Sequence, residues 1–219
     1  MIKFSTKWLT CTALLTALVV ATGYIPGIPV LTGKIYWCDF VIYLAAFIMD
    51  PLSATIVGGI GTTFFDLFGI NGTAYNALPS LLIHGLQGFS AAMIFTLLQR
   101  FFNRENKPKR EGVFAIISCI FPALLVISGY FIKRITWEGL LPEVAVLKMP
   151  ANVLQEIIGI TVALILLYGT SFKRQLEKSH LLPDFERELF NKKPAEEVLQ
   201  EDAVERPQEV NKISESKNE

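Results

Sequence analysis

Charged side chains are scarce in this sequence, and they are unevenly placed. Only 18% of the 219 residues are charged, whereas 52% are hydrophobic, a balance that excludes an ordinary soluble globular domain. Through position 172 we count 11 basic and 8 acidic residues, and beyond it 9 basic and 12 acidic residues. The first 172 residues therefore have the composition of a membrane protein, and the remainder that of a solvated tail.

Nucleotide-binding and hydrolase motifs are also missing. No G-x-x-x-x-G-K-[ST], H-E-x-x-H or G-x-S-x-G segment occurs, which excludes ATP hydrolysis through a P-loop and leaves membrane hydrolase chemistry unsupported. The three cysteines, Cys11, Cys38 and Cys119, have neither the spacing of a metal site nor an evident pairing. We expect no catalytic residue, no cofactor, no metal and no nucleic-acid partner. Uphill transport would need an ion gradient or an energised partner.

Long apolar runs are what the sequence has in abundance. A bilayer core of about 30 Å needs roughly 20 apolar residues per helix. Five runs meet or approach this length, and a sixth, residues 35–49, is shorter. The five are residues 7–25, 52–70, 77–98, 113–132 and 149–172. Asp50 can cap a helix and Pro51 can open one, so we predict a tight turn there. The predicted fold class is all-α, a polytopic membrane protein with six transmembrane helices.

Basic residues indicate the orientation of these helices. They flank the first run at Lys3 and Lys7, are frequent in the connection at residues 100–111, and follow the last run after residue 172. Six spans put all three places on one side, which the positive-inside tendency assigns to the cytoplasm. We therefore predict cytoplasmic N- and C-termini in a bacterial plasma membrane. Residues 1–172 would form a substrate-binding membrane domain, and residues 173–219 a charged, largely disordered cytoplasmic tail.

Polar side chains recur at one depth of the predicted bundle. Counting about 1.5 Å per residue from the outward helix ends puts them within roughly 5 to 16 Å of the outer boundary. They are Asp66, His84, Gln87, Asn152, Gln155 and Glu156. Such residues are rare within spans and usually face the bundle interior. We interpret the shared depth as a ligand pocket, with hydrogen bonding between helices as the structural alternative.

The connections predicted to face outward carry aromatic and polar residues. They are Tyr36, Trp37 and Asp39 in the first connection, Tyr75 and Asn76 in the third, and Trp137 in the fifth. We include Tyr36, Trp37, Asp39 and Asn76 among the predicted binding residues. Aromatic rings there can stack on a ligand ring, or they can simply anchor the protein at the membrane interface.

The charge of the predicted pocket indicates its ligand. Asp39, Asp66 and Glu156 bring acceptors, whereas no Lys or Arg lies deep inside a predicted span. A buried anion would lack a partner, so we predict a neutral heteroaromatic ligand with hydroxyl or amino donors, or a weak cation. This interpretation disfavours folate-like and nucleotide ligands.

A stripe of small residues marks the first predicted helix. Ala13, Ala17 and Ala21 recur at every fourth position, which forms a narrow ridge where another helix can approach closely. With the six spans and their topology, this A-x-x-x-A stripe resembles the substrate-binding S components of energy-coupling factor (ECF) vitamin importers. The further similar segments are "CDFVIYLAAFIMDPLSATIVGGIGTTFFDLF", "LPSLLIHGLQGFSAAMI" and "MPANVLQEIIGITVALIL". The resemblance covers residues 4–172.

This resemblance implies a mechanism that the residues alone do not show. It implies an outward vitamin pocket roofed by the first, third and fifth connections. It also implies that Ala13, Ala17 and Ala21 dock onto a transmembrane coupling subunit driven by two ABC-type ATPases, and that the S component topples in the bilayer. The segments "PSLLIHGLQG" and "PANVLQEIIG" resemble carriers of riboflavin, pyridoxine and hydroxymethylpyrimidine. Because "GKIYWCDF" differs in spacing from the Lys-x-x-Asp-like segment of riboflavin carriers, we prefer a vitamin B6 or hydroxymethylpyrimidine type of ligand, with riboflavin next.

Two other readings use the same residues. In an ion-coupled secondary transporter, Asp66, His84 and Glu156 would relay protons or coordinate an ion. In a structural membrane protein, the polar residues would only join helices.

Overall fold

The helices of the protein follow the predicted apolar runs. The computed structural model describes residues 5–30, 33–69, 73–102, 108–172 and 175–176. The helices are α1 (Thr6–Thr22), α2 (Cys38–Ile48), α3 (Pro51–Phe68), α4 (Ala77–Phe102), α5 (Pro108–Thr136), α6 (Pro142–Leu147) and α7 (Met149–Leu164). A 3-10 helix, Ala74–Asn76, precedes α4, and a π-helical turn, Ile165–Gly169, follows α7. The predicted tail lies almost wholly outside the described residues, so its disorder stays a prediction.

The connection between α1 and α2 contains a hairpin that the all-α prediction missed. Strand β1 (Ile28–Val30) pairs antiparallel with β2 (Gly33–Ile35), with Ile28 opposite Ile35 and Pro29 opposite Lys34. Proline lacks a backbone N–H and tolerates only an edge position, which a two-stranded ribbon provides. Three residue pairs are too short a pattern to separate from a loop by alternation alone.

The turn between α2 and α3 is built as predicted. Asp50 is the N-cap of α3, and its side chain accepts a hydrogen bond from the backbone N–H of Leu52 (3.2 Å). Pro51 occupies the first helical position, where its missing N–H costs nothing. The prediction of two helices joined by a tight Asp-Pro turn is confirmed.

Helix α2 forms the centre of the bundle. Every residue of α2 except Phe40 is buried, and the helix packs against α1, α3, α4 and α7. Its 11 residues give a length of only about 16 Å, so neighbouring helices enclose it on all sides. Conversely, α5 exposes an apolar face that includes Ile116, Ile120 and Leu124, as expected of a helix that contacts lipid tails.

Four stretches among the described residues are long and apolar enough to cross a bilayer. They are Pro51–Phe68, Ala74–Phe102, Arg110–Thr136 and Pro142–Gly169. Helices α1 and α2 are apolar but shorter. The protein is therefore a helical membrane protein with at least these four candidate spans, and the count of six stays a prediction.

Glycines bring α3 and α4 unusually close together. A Cβ atom added at Gly58 would lie 2.2 Å from the carbonyl oxygen of His84, and one added at Gly88 would lie 2.2 Å from that of Ala54. Any side chain at either position would force the helices apart. This close approach fixes the height and rotation of the α4 residues that carry polar side chains.

The bundle has two distinguishable ends, which we name by their connections. At the hairpin end, Gly33 lies against Ala151 at the start of α7, and Tyr75 contacts Trp137 between the α3–α4 and α5–α6 connections. At the turn end, the indole of Trp8 near the start of α1 reaches Asp50. The predicted site residues can be located relative to these two ends.

Candidate functional site

A buried amide joins two carboxylates in the interior of the bundle. The Nε2 of Gln87 on α4 lies 3.2 Å from Oδ1 of Asp39 on α2 and 3.3 Å from Oε1 of Glu156 on α7. The hydroxyl of Tyr43 donates to the other oxygen of Glu156, Oε2, at 2.6 Å. All four side chains are at most 2% exposed. Three helices are thus tied together by one polar network.

His84 extends this network to α5. Its Nδ1 lies 2.6 Å from Oε1 of Gln87, and an amide oxygen only accepts, so Nδ1 carries the hydrogen. Its Nε2 lies 2.9 Å from the hydroxyl of Tyr130 on α5. Nδ1 is also 3.5 Å from Oδ1 of Asp39. The histidine therefore bridges Gln87 and Tyr130.

Gln155 carries the network to the hairpin end. Its Nε2 donates to Oδ2 of Asp39 at 2.5 Å, and its Oε1 accepts the backbone N–H of Tyr36 at 3.0 Å. The Tyr36 ring packs edge-on against Phe65, with centroids 5.5 Å apart. We call Asp39, Tyr43, His84, Gln87, Tyr130, Gln155 and Glu156 the polar network.

Within the polar network the carboxylate oxygens already have partners. Asp39 is bonded by Gln87 and Gln155, and Glu156 by Tyr43 and Gln87. The sequence analysis expected these acidic groups to offer acceptors to a ligand. Each carboxylate instead accepts at least two hydrogen bonds from within the protein, because amide and phenol donors from neighbouring helices converge on them.

At the hairpin end, the buried side-chain atoms that lack a hydrogen-bond partner among the described residues are donors. Three buried nitrogens have no hydrogen-bond partner among the described residues: Nε1 of Trp37, Nη1 of Arg134 and Nδ2 of Asn152. We call Trp37, Arg134 and Asn152 the donor set. Nη2 of Arg134 donates to Oδ1 of Asn152 at 3.0 Å, so two of the three side chains are in contact. Buried donors are nearly always satisfied in proteins, so three unpartnered donors distinguish the donor set from the polar network.

Arg134 corrects the sequence analysis, which placed it in a connection outside the spans. Helix α5 continues to Thr136, beyond the predicted end at residue 132, because Arg134 pairs with Asn152 and Lys133 pairs with Glu138 (2.7 Å). A guanidinium group therefore lies beside the predicted pocket. The sequence analysis expected no Lys or Arg deep inside a span, and Arg134 lies two residues before the end of α5, next to the predicted site residue Asn152.

Residues 3–172 match the sequence model of the ECF-type riboflavin transporter, S component, family. The chain belongs to this family. S components are substrate-binding subunits of vitamin importers, which work with a module of transmembrane and ATPase subunits, and they are not enzymes themselves. The resemblance found in the sequence is thereby confirmed, as is the expectation that the chain is not an enzyme.

A solved structure, the S-component for biotin from an ECF-type ABC transporter, is 19% identical to this chain, with a TM-score of 0.49. The alignment covers 77% of this chain and 94% of that one. No curated protein matches the sequence.

Two predicted residues of the S component, Asp66 and Asn76, join neither the polar network nor the donor set. Asp66 on α3 accepts a hydrogen bond from the hydroxyl of Ser80 on α4 at 2.5 Å. Asn76 is half-buried in the 3-10 helix, where its backbone N–H donates to the carbonyl of Thr73 at 2.7 Å. The structure thus unites Asp39, His84, Gln87, Gln155 and Glu156, with Tyr36 joined through its backbone.

Two connections of the S component are fastened to each other at the hairpin end. The hydroxyl of Tyr75 donates to the backbone carbonyl of Trp137, and Nε1 of Trp137 donates to the carbonyl of Tyr75 at 2.9 Å. Their ring centroids are 5.5 Å apart. We call this pair the latch. The two rings were predicted as stacking groups or interfacial anchors, and the structure shows that they contact each other.

Sequence reasoning missed three residues that the structure joins to the site. Tyr43 lies four residues after Asp39 on α2, and Tyr130 lies four residues before Arg134 on α5. An i, i+4 spacing places side chains on one helix face, so a search for phenols four residues from each acidic or basic residue would have found both tyrosines. Finding Arg134 would have required placing the C-terminal end of α5 at Thr136 instead of residue 132.

The alanine stripe of the S component faces away from the bundle. Ala13, Ala17 and Ala21 are exposed, whereas Trp8 and Val19 on the opposite side of α1 are buried. The stripe therefore contributes little to the packing of this chain. Its role in docking stays a prediction.

Proposed function

We propose that this S component binds riboflavin on the outer face of the membrane and delivers it inward with an ATPase-driven coupling module. The observation that carries the ligand assignment is the donor set, which leaves three buried N–H groups of Trp37, Arg134 and Asn152 unpartnered among the described residues. The dione ring of riboflavin presents two carbonyl oxygens and ring nitrogens as acceptors. Pairing them with buried donors would remove the cost of leaving those donors unsatisfied.

The same chemistry separates riboflavin from the smaller ligands preferred in the sequence analysis. Pyridoxine and hydroxymethylpyrimidine carry hydroxyl or amino donors and lack a ring carbonyl. They would suit free carboxylate acceptors, but Asp39 and Glu156 are already bonded within the polar network. The family description also favours riboflavin. Vitamin B6 and hydroxymethylpyrimidine become the second choice.

The experiment for the ligand is direct. Mass spectrometry of the small molecule that copurifies with the protein should show the mass of riboflavin. Titration of ligand-free protein with riboflavin, and separately with pyridoxine and hydroxymethylpyrimidine, should give the highest affinity for riboflavin. Tighter binding of either smaller vitamin would overturn the assignment.

The proposed topology has six membrane crossings and both termini in the cytoplasm of a bacterial cell. The hairpin end would then face outward, with α1 and α2 crossing as short helices, of which only the central α2 is enclosed by its neighbours. Residues 173–219 would extend into the cytoplasm as a charged tail. Cysteine labelling at the exposed Glu143 on α6 should succeed from outside intact cells, and labelling only after permeabilisation would reverse the orientation.

The proposed partners are a transmembrane coupling subunit and two ABC-type ATPases. The exposed stripe of Ala13, Ala17 and Ala21 supports this proposal, since small residues let a partner helix approach closely. Ala17→Trp should abolish most riboflavin uptake and reduce copurification of the ATPases, while riboflavin affinity in detergent changes less than about twofold, because the change lies outside the bundle. Ile120→Trp on the exposed face of α5 is the matched control and should leave uptake intact.

Uptake also separates this proposal from an ion-coupled secondary transporter. Inactivating the copurifying ATPases should stop riboflavin uptake. Uptake that persists without the ATPases and collapses with the proton gradient would favour the secondary transporter.

A further inference from the structure

We propose that Cys38, Asp39 and His84 form a binding site for a divalent transition-metal cation of the zinc class. The Sγ of Cys38, a carboxylate oxygen of Asp39 and an imidazole nitrogen of His84 all lie within 4.8 Å of one another. The three residues are 4%, 0% and 2% exposed. The site goes beyond vitamin binding and does not depend on it.

The spacing of the three atoms is close to that of a metal site. Zinc bonds of about 2.0 to 2.3 Å in tetrahedral geometry place neighbouring ligand atoms roughly 3.3 to 3.6 Å apart. Asp39 Oδ1 and His84 Nδ1 are already 3.5 Å apart. The longest separation in the group must shorten by at most about 1.5 Å, which side-chain rotation can supply.

The ligand types select the class of cation. A thiolate and an imidazole beside a carboxylate suit zinc and its neighbours in the first transition row, whereas magnesium and calcium prefer oxygen alone. The fourth position would be taken by water, because Oε1 of Gln87 lies only 2.6 Å from His84 Nδ1, closer than two ligands of one zinc ion. Binding would release the thiol proton of Cys38 and the Nδ1 proton of His84 to solvent.

Charge in the bundle interior gives an independent reason for a cation. Asp39 and Glu156 are buried and share the Gln87 amide. Nδ1 of His84 lies 3.5 Å from Oδ1 of Asp39, while the buried Lys133 is paired with Glu138. Two acidic groups enclosed in a region of low dielectric are costly without a compensating charge. A divalent cation at the adjacent cysteine would supply it.

Cobalt provides the test, because a cobalt–thiolate bond has a charge-transfer absorption that oxygen and nitrogen ligands do not give. The purified full chain, freed of metal and vitamin, should bind one equivalent of Co2+ with this absorption, and Zn2+ should displace it. Cys38→Ser should abolish the absorption and weaken Zn2+ binding, measured by equilibrium dialysis, at least about tenfold. Cys119→Ser, at another buried cysteine, should change neither.

A second variant keeps the test decisive if Cys38→Ser does not fold. His84→Gln should retain a weaker cobalt–thiolate absorption and also lose at least about tenfold in Zn2+ affinity. Thermal unfolding in detergent establishes that each variant is folded. Absence of stoichiometric Co2+ binding, or Zn2+ affinity equal in wild type and a folded variant, would overturn the proposal. Because vitamin is absent throughout, failure to bind riboflavin leaves the result unaffected.

Discussion

The two ends of this S component each bury a carboxylate, and the two carboxylates are used differently. At the turn end, Oδ1 of Asp50 accepts from Nε1 of Trp8 (2.5 Å) and from the hydroxyl of Ser53 (2.6 Å). The hydroxyl of Thr12 on α1 lies 3.0 Å from that of Ser53 and 2.8 Å from the backbone carbonyl of Trp8. Near the hairpin end, Asp39 belongs to the polar network, which leads through Gln155 to the backbone of Tyr36, the residue before Trp37 of the donor set.

The two ends differ in whether buried hydrogen-bond donors are left without a partner. The cluster around Asp50 joins α1 to α3 and satisfies its own side chains, as a structural crosslink does. The hairpin end leaves Trp37, Arg134 and Asn152 with unpartnered donors among the described residues. A buried polar group in a membrane bundle is therefore informative about binding through the hydrogen bonds that it does not make.

The strongest way to break the turn-end cluster is Asp50→Ala. The change removes the N-cap of α3 and strands the buried donors of Trp8 and Ser53, which should cost about 3 kcal/mol of stability. Thermal unfolding in detergent measures this, and riboflavin affinity per folded molecule should stay unchanged. Glu143→Ala, at an exposed acidic residue in the first turn of α6, should stay within about 0.5 kcal/mol of wild type. Loss of riboflavin affinity at full stability would contradict the structural role of Asp50.

Breaking the polar network should affect both stability and binding. Gln87→Leu removes the amide shared by Asp39 and Glu156 and leaves His84 Nδ1 without its acceptor. We expect a loss of about 2 kcal/mol in stability and at least about tenfold in riboflavin affinity. The control is Gln99→Leu, which removes another buried amide from the same helix. It should lower stability alone, and equal losses of affinity in both variants would show that α4 packing, rather than the network, sets affinity.

The donor set should affect binding without much change in stability. Asn152→Ala removes one donor that has no partner in the described residues and the acceptor of Arg134. Riboflavin affinity should fall about tenfold, equivalent to about 1.4 kcal/mol, while the unfolding temperature changes little. Calorimetric titration measures the affinity, and Thr161→Ala on the exposed face of α7 serves as the control. Unchanged affinity in Asn152→Ala would remove the start of α7 from the binding site.

The sequence was sufficient for features that depend on neighbouring residues. Asp50 and Pro51 specify a capped helix start, and the turn they predict is present. The shared depth of His84, Gln87 and Glu156 follows from helix rise alone. Their direct bonding through one amide does not, because it depends on how closely α4 approaches its neighbours.

That approach is set by contacts between residues far apart in the chain. Gly58 fits against the His84 carbonyl and Gly88 against that of Ala54, a match that only the folded pair of helices shows. Likewise, the spacing of the cysteines along the sequence could not predict that Cys38 lies close to His84, because the two residues are on different helices. The unpartnered donors were also beyond sequence reasoning, since an absent partner can be recognised only once all partners are placed.

The smallest expected effect concerns the latch, which lies beyond both clusters and should affect rates more than affinity. Tyr75→Phe removes the hydroxyl that donates to the Trp137 carbonyl and retains the aromatic ring. One exposed hydrogen bond is worth about 1 kcal/mol, so riboflavin should dissociate up to about fivefold faster. Stopped-flow release measures this rate, and Tyr24→Phe, at an exposed tyrosine of the α1–β1 connection, should leave it unchanged. If Tyr75→Phe leaves the dissociation rate of riboflavin unchanged, the two connections do not restrain the ligand, and the donor set alone accounts for its residence time.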